Sequence, residues 1–319
     1  MHIRLISAGS LPRLSGAAIY NRTIAAALRE LGHSVEETGD PRVGDDVALV
    51  DGSALAAIAE GDLGRVVALI HHPVSLEVSP PDPALMGQER TLFSAVRRVV
   101  TTSEQTAEQV SNLFGVRQDA VTAIVPGVAD LPRCPGTGGP TCRILCLGQL
   151  VPRKGQDVLL RCLARLFDLD WHLTIAGNPN DPVYADGLRA LVGELKIGPQ
   201  VAFHPEVTGV ALEALWQGAD LFALTSVYEG YGMVWAEALR RGLPVVATNT
   251  GAAPTLITPD SGVVCMPGDL DQLAKALRRL IFDATLRADM AEAAWQVGQA
   301  LPSWADQAGK LAAVLAQGV

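Results

Sequence analysis

The chain has 319 residues, 49% of them hydrophobic and 18% charged, with a formal net charge of −9. That is a globular composition, long enough for about two domains with substantial cores. The acidic balance disfavours nucleic acid as a partner, since phosphate backbones are bound through a basic face, and no polybasic membrane-docking patch stands out, although peripheral contact is left open.

The N-terminus, MHIRLISAGS, reads straight into a strand and lacks the apolar core of a signal peptide. No apolar run reaches the roughly 18 residues of a membrane span. The five cysteines, Cys134, Cys142, Cys146, Cys162 and Cys265, are odd in number and form no CxxC pair. Four of them lie in or beside apolar segments, so buried free thiols and a cytoplasmic location are expected. Nothing in the sequence fixes an oligomeric state.

Taken in order, the elements alternate between strand and helix. A short apolar strand at 2–7 runs into a Gly/Pro/Ser loop, GSLPRLSG, and then a helix over 17–31, with Ile19, Ile24, Leu28 and Leu31 near helical spacing. Strands are expected at 47–50, 66–70, 99–102 and 120–125. Ser103 is placed as an N-cap before a helix ending near Phe114. Residues 131–140, LPRCPGTGGP, form the best linker candidate. The pattern then restarts, with strands at 143–147, 171–176, 201–204, 221–224 and 244–247. Helices are expected at 155–167, 183–195, 232–241, 269–282, 286–297 and 304–316. Strands separated by helices make parallel sheets covered on both faces. The fold expected is therefore α/β: two doubly wound Rossmann-like domains facing a central cleft. The domains would be 1–133, a linker at 134–142, 143–301, and a last helix at 302–319 expected to pack back on the first domain. Ligands of such sheets bind beyond the carboxyl ends of the strands.

Two segments of the second half carry chemistry. The first is YEGYGMVWAE, residues 228–237, between a strand and a helix. Glu229 would sit in the loop at the strand's carboxyl end. The amides of Gly232, Met233 and Val234 would be free donors at a helix N-terminus, which attracts phosphate. Glu237, about one turn further in, could accept hydrogen bonds from ribose hydroxyls. An ordinary helix start with a solvated second glutamate is the plainer alternative. The second segment is LCLGQLVPRKGQDVLL, residues 145–160, where Arg153 and Lys154 precede a helix. A lysine there can place a point charge on a diphosphate; a solvated basic turn is the alternative. Both segments fall at strand ends of one Rossmann-like unit, and their coincidence favours the ligand-binding reading. The DLD runs at 168–170 and 269–271 sit at helix boundaries, where caps or surface turns are expected rather than a metal site.

Residues 143–282 resemble the family-four glycosyltransferases of the GT-B fold. They carry that family's strand–GRLxxxKG–helix motif and E-x7-E motif, and TNTGAAPTLITPDSGVVCMPGD is similar to its glycine-proline loop and PGD stretch. The first half resembles it more weakly, through SGAAIYNRTIAAALRELGHSV, the pair His71–His72, and TTSEQTAEQV followed by VPGV. The resemblance implies a retaining, metal-independent hexosyltransferase without a cofactor. Its partners would be a nucleotide sugar, such as a UDP- or GDP-hexose, and an acceptor that is a glycan, a lipid or a small metabolite. Lys154 would bind the donor diphosphate, Glu229 would face the transferred sugar and Glu237 would hold the ribose. The amides of Tyr231, Gly232, Met233 and Val234 would bind phosphate and sugar hydroxyls, and Gly16 would bring the first loop's backbone close to phosphate. His71 or His72 would contact the donor sugar near the reaction centre. Adjacent side chains diverge, and His71, nearer the strand end, is the stronger candidate.

Two departures stand out. Gln149 occupies a position where the family usually has Arg, so one charge on the diphosphate is lost unless Arg153 reaches in. Thr255 replaces the glutamate of the family's GGxPE loop. The alternatives are a nucleotide-sugar epimerase on the same fold, whose acid–base set is not recognisable here, and a non-catalytic sugar-nucleotide-binding protein, against which the joint presence of Lys154, Glu229 and Glu237 argues.

Overall fold

The computed structural model describes residues 1–9, 15–78 and 80–317. They form two compact units. The first comprises Met1–Ala129 and the chain from Pro302 onward, and the second is Asp130–Leu301.

In the first unit the chain runs β1 (His2–Ile6), α1 (Gly16–Glu30), β2 (Ser34–Thr38), β3 (Val47–Asp51), β4 (Val66–Ile70), α2 (Pro83–Ala95), β5 (Arg98–Thr101), α3 (Glu104–Phe114) and β6 (Val121–Ala123). Two turns of 3-10 helix, Gly52–Ala57 and Glu60–Arg65, join β3 to β4. The six strands pair in parallel in the order β2-β1-β3-β4-β5-β6. β4, VVALI, is buried at every position, as a continuous apolar run should be when helices cover both faces of a sheet. Ser103 caps α3, accepting from Thr106 N at 3.0 Å. Residues 10–14, most of the Gly/Pro/Ser loop expected before α1, lie outside the described residues.

The second unit contains β7 (Cys142–Leu147), α4 (Gln156–Ala164), β8 (Trp171–Ala176), α5 (Pro182–Glu194), β9 (Val201–His204), α6 (Gly209–Gln217), β10 (Leu221–Leu224), α7 (Met233–Arg240), β11 (Val245–Thr248), α8 (Ala253–Leu256), β12 (Gly262–Cys265), α9 (Leu270–Phe282) and α10 (Ala284–Gln299). Its sheet is also parallel, in the order β12-β11-β10-β7-β8-β9. Residues 134–142, rich in glycine and proline, are held within this unit. Thr137 donates its backbone amide to Asp220 at 2.6 Å, Cys134 N donates to Arg241 O at 2.8 Å, and β7 already begins at Cys142. α11 (Trp304–Ala316) belongs to the first unit and packs on α1, with the Trp304 and Tyr20 rings edge to face at 5.4 Å.

All five cysteines are free and buried, and burial pushes the Cys146 thiol up to about 12. No helix among the described residues is long and apolar enough to cross a membrane.

Candidate functional site

Strand order reverses in each sheet, between β7 and β10 in the second unit and between β1 and β3 in the first. Such a switch point opens a crevice beyond the strand ends, because the two connections leave in opposite directions. The segments singled out in the second half leave the carboxyl ends of β7 and β10, the pair that flanks its crevice.

After β7 the chain makes a short turn, Pro152–Lys154, and enters α4 through Gly155. Gly155 has φ +63°, and a Cβ there would lie 2.2 Å from Thr225 O, the backbone oxygen just past β10. Only glycine meets both demands. Thr225 Oγ1 donates to Gly155 O at 2.6 Å and Val227 N donates to Arg153 O at 2.8 Å. These bonds clamp the two strand ends together.

The clamp brings three charges into one cluster. Lys154 Nζ lies 2.5 Å from Glu229 Oε1, and Arg153 Nη1 lies 3.6 Å from Glu229 Oε2 while donating to Tyr228 O at 3.1 Å. Ser226 Oγ donates to Glu229 Oε1 at 2.6 Å, and Thr248 Oγ1 donates to Ser226 O beneath it. Burial by itself would push the Glu229 carboxyl up. The charges of Lys154 and Arg153 outweigh it, and with bonds from Lys154 and Ser226 they hold Glu229 below the usual carboxylate range. Lys154 and Arg153 thus flank one carboxylate, and the cluster places two cationic side chains at the strand ends.

Beside this cluster, α7 starts at Met233 behind Gly232, whose φ is +97° and whose Cβ would strike the Trp235 ring at 2.1 Å. Trp235 and Ala236 donate back to Gly232 O, whereas the amides of Gly232, Met233 and Val234 have no acceptor among the described residues. Tyr231 O accepts from Ala252 N at 3.1 Å, which ties the glycine-proline loop to this turn. Glu237 lies in the second turn of α7, and no donor reaches its carboxyl among the described residues. Burial pushes that carboxyl above its ordinary range, against the nearby Arg241. Gln149 is half-buried, and its backbone oxygen accepts from the Gln156 side chain at 2.9 Å.

In the first unit the corresponding strand ends carry a second polar cluster. His71 directly follows β4, and its Nε2 lies 3.0 Å from Asn21 Oδ1 and 3.1 Å from Asp51 Oδ2. Asp51 ends β3 and is 2% exposed. It also accepts from Asn21 Nδ2 at 2.7 Å, from Ser53 N at 2.8 Å and from Ser53 Oγ at 2.5 Å. Burial works against this carboxylate, but bonds from His71, Ser53 and Asn21 and the His71 charge hold it well below the usual range. Tyr20 presents its ring edge to His71 at 5.2 Å, and Thr102 Oγ1 donates to His71 O at 3.0 Å. His72 turns to a different partner, Glu77, at 2.6 Å. Gly16 is exposed at the first position of α1, behind the Ser15 cap.

The structure thus brings Arg153, Lys154 and Glu229 together, with Ser226 as a partner absent from the sequence reading. Asn21 and Asp51 were likewise unmarked. An aspartate closing the apolar run VALVD is the signal that could have found one of them. The DLD carboxylates are engaged elsewhere. Asp168 pairs with Arg278, Asp170 accepts from Thr141, Asp269 caps α9 and Asp271 pairs with Arg165.

Residues 139–297 match the family described as glycosyl transferases group 1. The D-inositol 3-phosphate glycosyltransferase of Thermomonospora curvata is 31% identical over 243 residues, 68% of this chain and 56% of that protein. The chain spans about half the length of the curated relatives it matches. Among solved structures, Anabaena HepE in complex with UDP-glucose superposes with a TM-score of 0.82 at 19% identity, covering 99% of this chain and 100% of that one. A sucrose-phosphate synthase from Thermosynechococcus elongatus gives 0.81 at 18% identity, covering 99% and 98%. These likenesses show a shared α/β fold of two units, that of GT-B glycosyltransferases.

Proposed function

We propose that this chain, a member of the glycosyl transferases group 1 through residues 139–297, transfers a hexose from a nucleotide-diphosphate sugar to an acceptor hydroxyl, with retention of configuration and without a metal. The observation that carries this reading is the Lys154–Glu229–Arg153 cluster, set at the switch point of the second sheet beside the unclaimed amides that open α7. A diphosphate would meet there the Lys154 ammonium and a helix N-terminus.

In the proposed reaction the bond from the sugar's anomeric carbon to the diphosphate oxygen breaks, and its electron pair leaves with the diphosphate. Lys154, Arg153 and the amides of Gly232, Met233 and Val234 stabilise that growing charge. The acceptor oxygen bonds to the anomeric carbon on the face the diphosphate leaves, and its proton passes to a departing phosphate oxygen. Glu229, held ionised, faces the transferred sugar. Glu237 accepts from the ribose hydroxyls, a role supported by its half-buried carboxyl having no donor among the described residues. From the first unit, His71 contacts the sugar, and Gly16 lets backbone approach phosphate. We place this chemistry in the cytoplasm.

The names of the relatives order the test. One structural neighbour is a UDP-glucose complex and the curated relatives are named for inositol 3-phosphate, so UDP-hexoses lead the donor screen and phosphorylated polyols join the acceptor screen. Nucleoside diphosphate release that depends on an acceptor, with a glycosylated product seen by mass spectrometry, is the expected result. Epimerised donor without transfer, or binding without turnover across the panel, would overturn the reading.

A further inference from the structure

The group around His71 has a consequence for which ring atom is available to a ligand. Nε2 faces two oxygens, Asn21 Oδ1 at 3.0 Å and Asp51 Oδ2 at 3.1 Å. The Asn21 amide cannot be turned over, because its Nδ2 donates to the same Asp51 oxygen at 2.7 Å. Reversal would set the amide oxygen against an ionised carboxylate. A bare Nε2 would likewise put three lone pairs face to face. The arrangement is consistent only when Nε2 carries a proton, in the neutral and in the charged ring alike. Nδ1 has no hydrogen-bond partner among the described residues, and the side chain stays 13% exposed.

Building on the transfer reaction proposed above, we infer that Asp51 and Asn21 hold the His71 ring with its proton on Nε2, that Nδ1 is the atom offered to a sugar hydroxyl, and that Asp51 is a positioning residue for the transfer. Each part of the device comes from a different element. Asp51 ends β3, Asn21 lies on the inner face of α1, and His71 follows β4. The neighbouring strands β3 and β4 place carboxylate and imidazole side by side. Ser53 anchors the far oxygen of Asp51 through its amide at 2.8 Å and its hydroxyl at 2.5 Å, so the carboxylate does not swing away. Tyr20, fixed by donating to Ile124 O at 2.9 Å, closes the side of the ring. In the neutral ring Nδ1 then accepts from a hydroxyl, and in the charged ring it donates to one.

The test is a two-bond proton–nitrogen correlation spectrum of protein labelled with 15N-histidine, with the His71 signals assigned by their loss in His71→Gln. In the wild type, His71 should show a protonated Nε2. In Asp51→Asn, which keeps the size and one acceptor oxygen, the ring should populate both tautomers. Turnover should fall about tenfold or more with little change in donor KM. Ser53→Ala, which keeps the carboxylate and both contacts to the ring, should keep the tautomer. Should Asp51→Asn fold poorly, Asn21→Ala provides the second arm: Asp51, still facing Nε2, should keep the proton there, and a shift of the proton to Nδ1 would overturn the part given to Asp51. A neutral His71 with its proton on Nδ1 in the wild type, or Asp51→Asn with an unchanged tautomer, would overturn the inference. So would wild-type turnover alongside a changed tautomer. The spectrum needs no substrate, so the tautomer held by Asp51 and Asn21 is decided even where the proposed transfer reaction fails its own screen.

Discussion

Lys154 Nζ and Glu229 Oε1, 75 residues apart in the chain, meet at 2.5 Å between the ends of two neighbouring strands. The proposed phosphate-binding cation and the proposed sugar-facing carboxylate are therefore partners in one ion pair.

Lys154→Ala is expected to cut turnover on the order of 10²-fold or more while weakening donor binding less. Charge on the phosphate grows as the sugar bond breaks, so a fixed ammonium gains more in the transition state. The same substitution leaves Glu229 with Arg153 as its remaining cation and Ser226 as a donor, so the loss should fall short of the roughly 3–5 kcal/mol of a buried charge left uncompensated. Thermal melting of Lys154→Ala against Lys154→Ala/Glu229→Gln separates the two effects, because the double variant should regain stability but not turnover. A crippled Arg153→Ala beside a near-normal Lys154→Ala would reverse the roles of the two cations.

Glu237→Gln should weaken nucleoside diphosphate binding by roughly 1.5–3 kcal/mol, the value of hydrogen bonds to a charged group. It should also raise thermal stability at neutral pH. The carboxyl's folded value lies above its ordinary 4.5, so its stabilising contribution is full below 4.5 and is lost as pH rises through the folded value. The stability gain of the variant should therefore vanish below about pH 4.5. Calorimetry with the nucleotide and melts across pH check both halves, and an unchanged affinity would remove the ribose role.

Glu229 behaves in the opposite sense. Its folded value lies below 4.5, so it contributes fully above that pH, and the contribution is lost as pH falls through the folded value. Glu229→Gln should accordingly destabilise most at neutral pH and converge with the wild type in acid. A constant difference from pH 3 to pH 8 would contradict the pairing.

Gly155→Ala should cost at least about 1–2 kcal/mol from the left-handed backbone alone. It should cost more because the new Cβ meets Thr225 O at 2.2 Å. Nucleotide affinity should fall with it, since the clash parts the strand ends that carry Lys154 and Glu229. A fully stable Gly155→Ala with normal nucleotide binding would show that the clamp is dispensable.

Activity is expected to survive EDTA, because Lys154, Arg153 and the α7 amides supply positive charge to the leaving diphosphate. Complete loss with rescue by Mg²⁺ or Mn²⁺ would contradict this.

What could be read from the sequence follows from how much each element buries. β4 is an apolar run and β8 an alternation of buried apolar and half-buried polar residues, both flanked by turn residues, and the expected limits agree with the observed ones. β2, SVEET, lies at a sheet edge with a single apolar residue, Val35, and gives no strand signal. β12 is the opposite kind of edge, short and hidden within a glycine- and proline-rich stretch. α2 escaped notice because its approach, SPPDP, looks like pure loop. Yet Asp82 accepts from the amides of Ala84 and Leu85, and Pro83 sits at the first turn, where its missing N–H costs nothing. The Lys154 and Glu229 segments were visible because glycines and charges cluster at fixed spacing. Asn21 and Asp51 were not, because a buried polar contact between a helix face and a strand end leaves no periodic trace.

The return of α11 to the first unit sets an order of events on the ribosome. The second unit is contiguous, so residues 130–301 emerge as a complete folding unit before residues 302–316 leave the exit tunnel. The first unit begins synthesis earlier yet finishes later. Until α11 arrives, Tyr20 lacks the Trp304 ring, Gly127 lacks the backbone packed against it, and Val128 N lacks its acceptor, Pro302 O. An excised fragment of residues 1–129 would keep that exposed apolar seam permanently, whereas a fusion of 1–129 to 302–317 through a short loop would restore it.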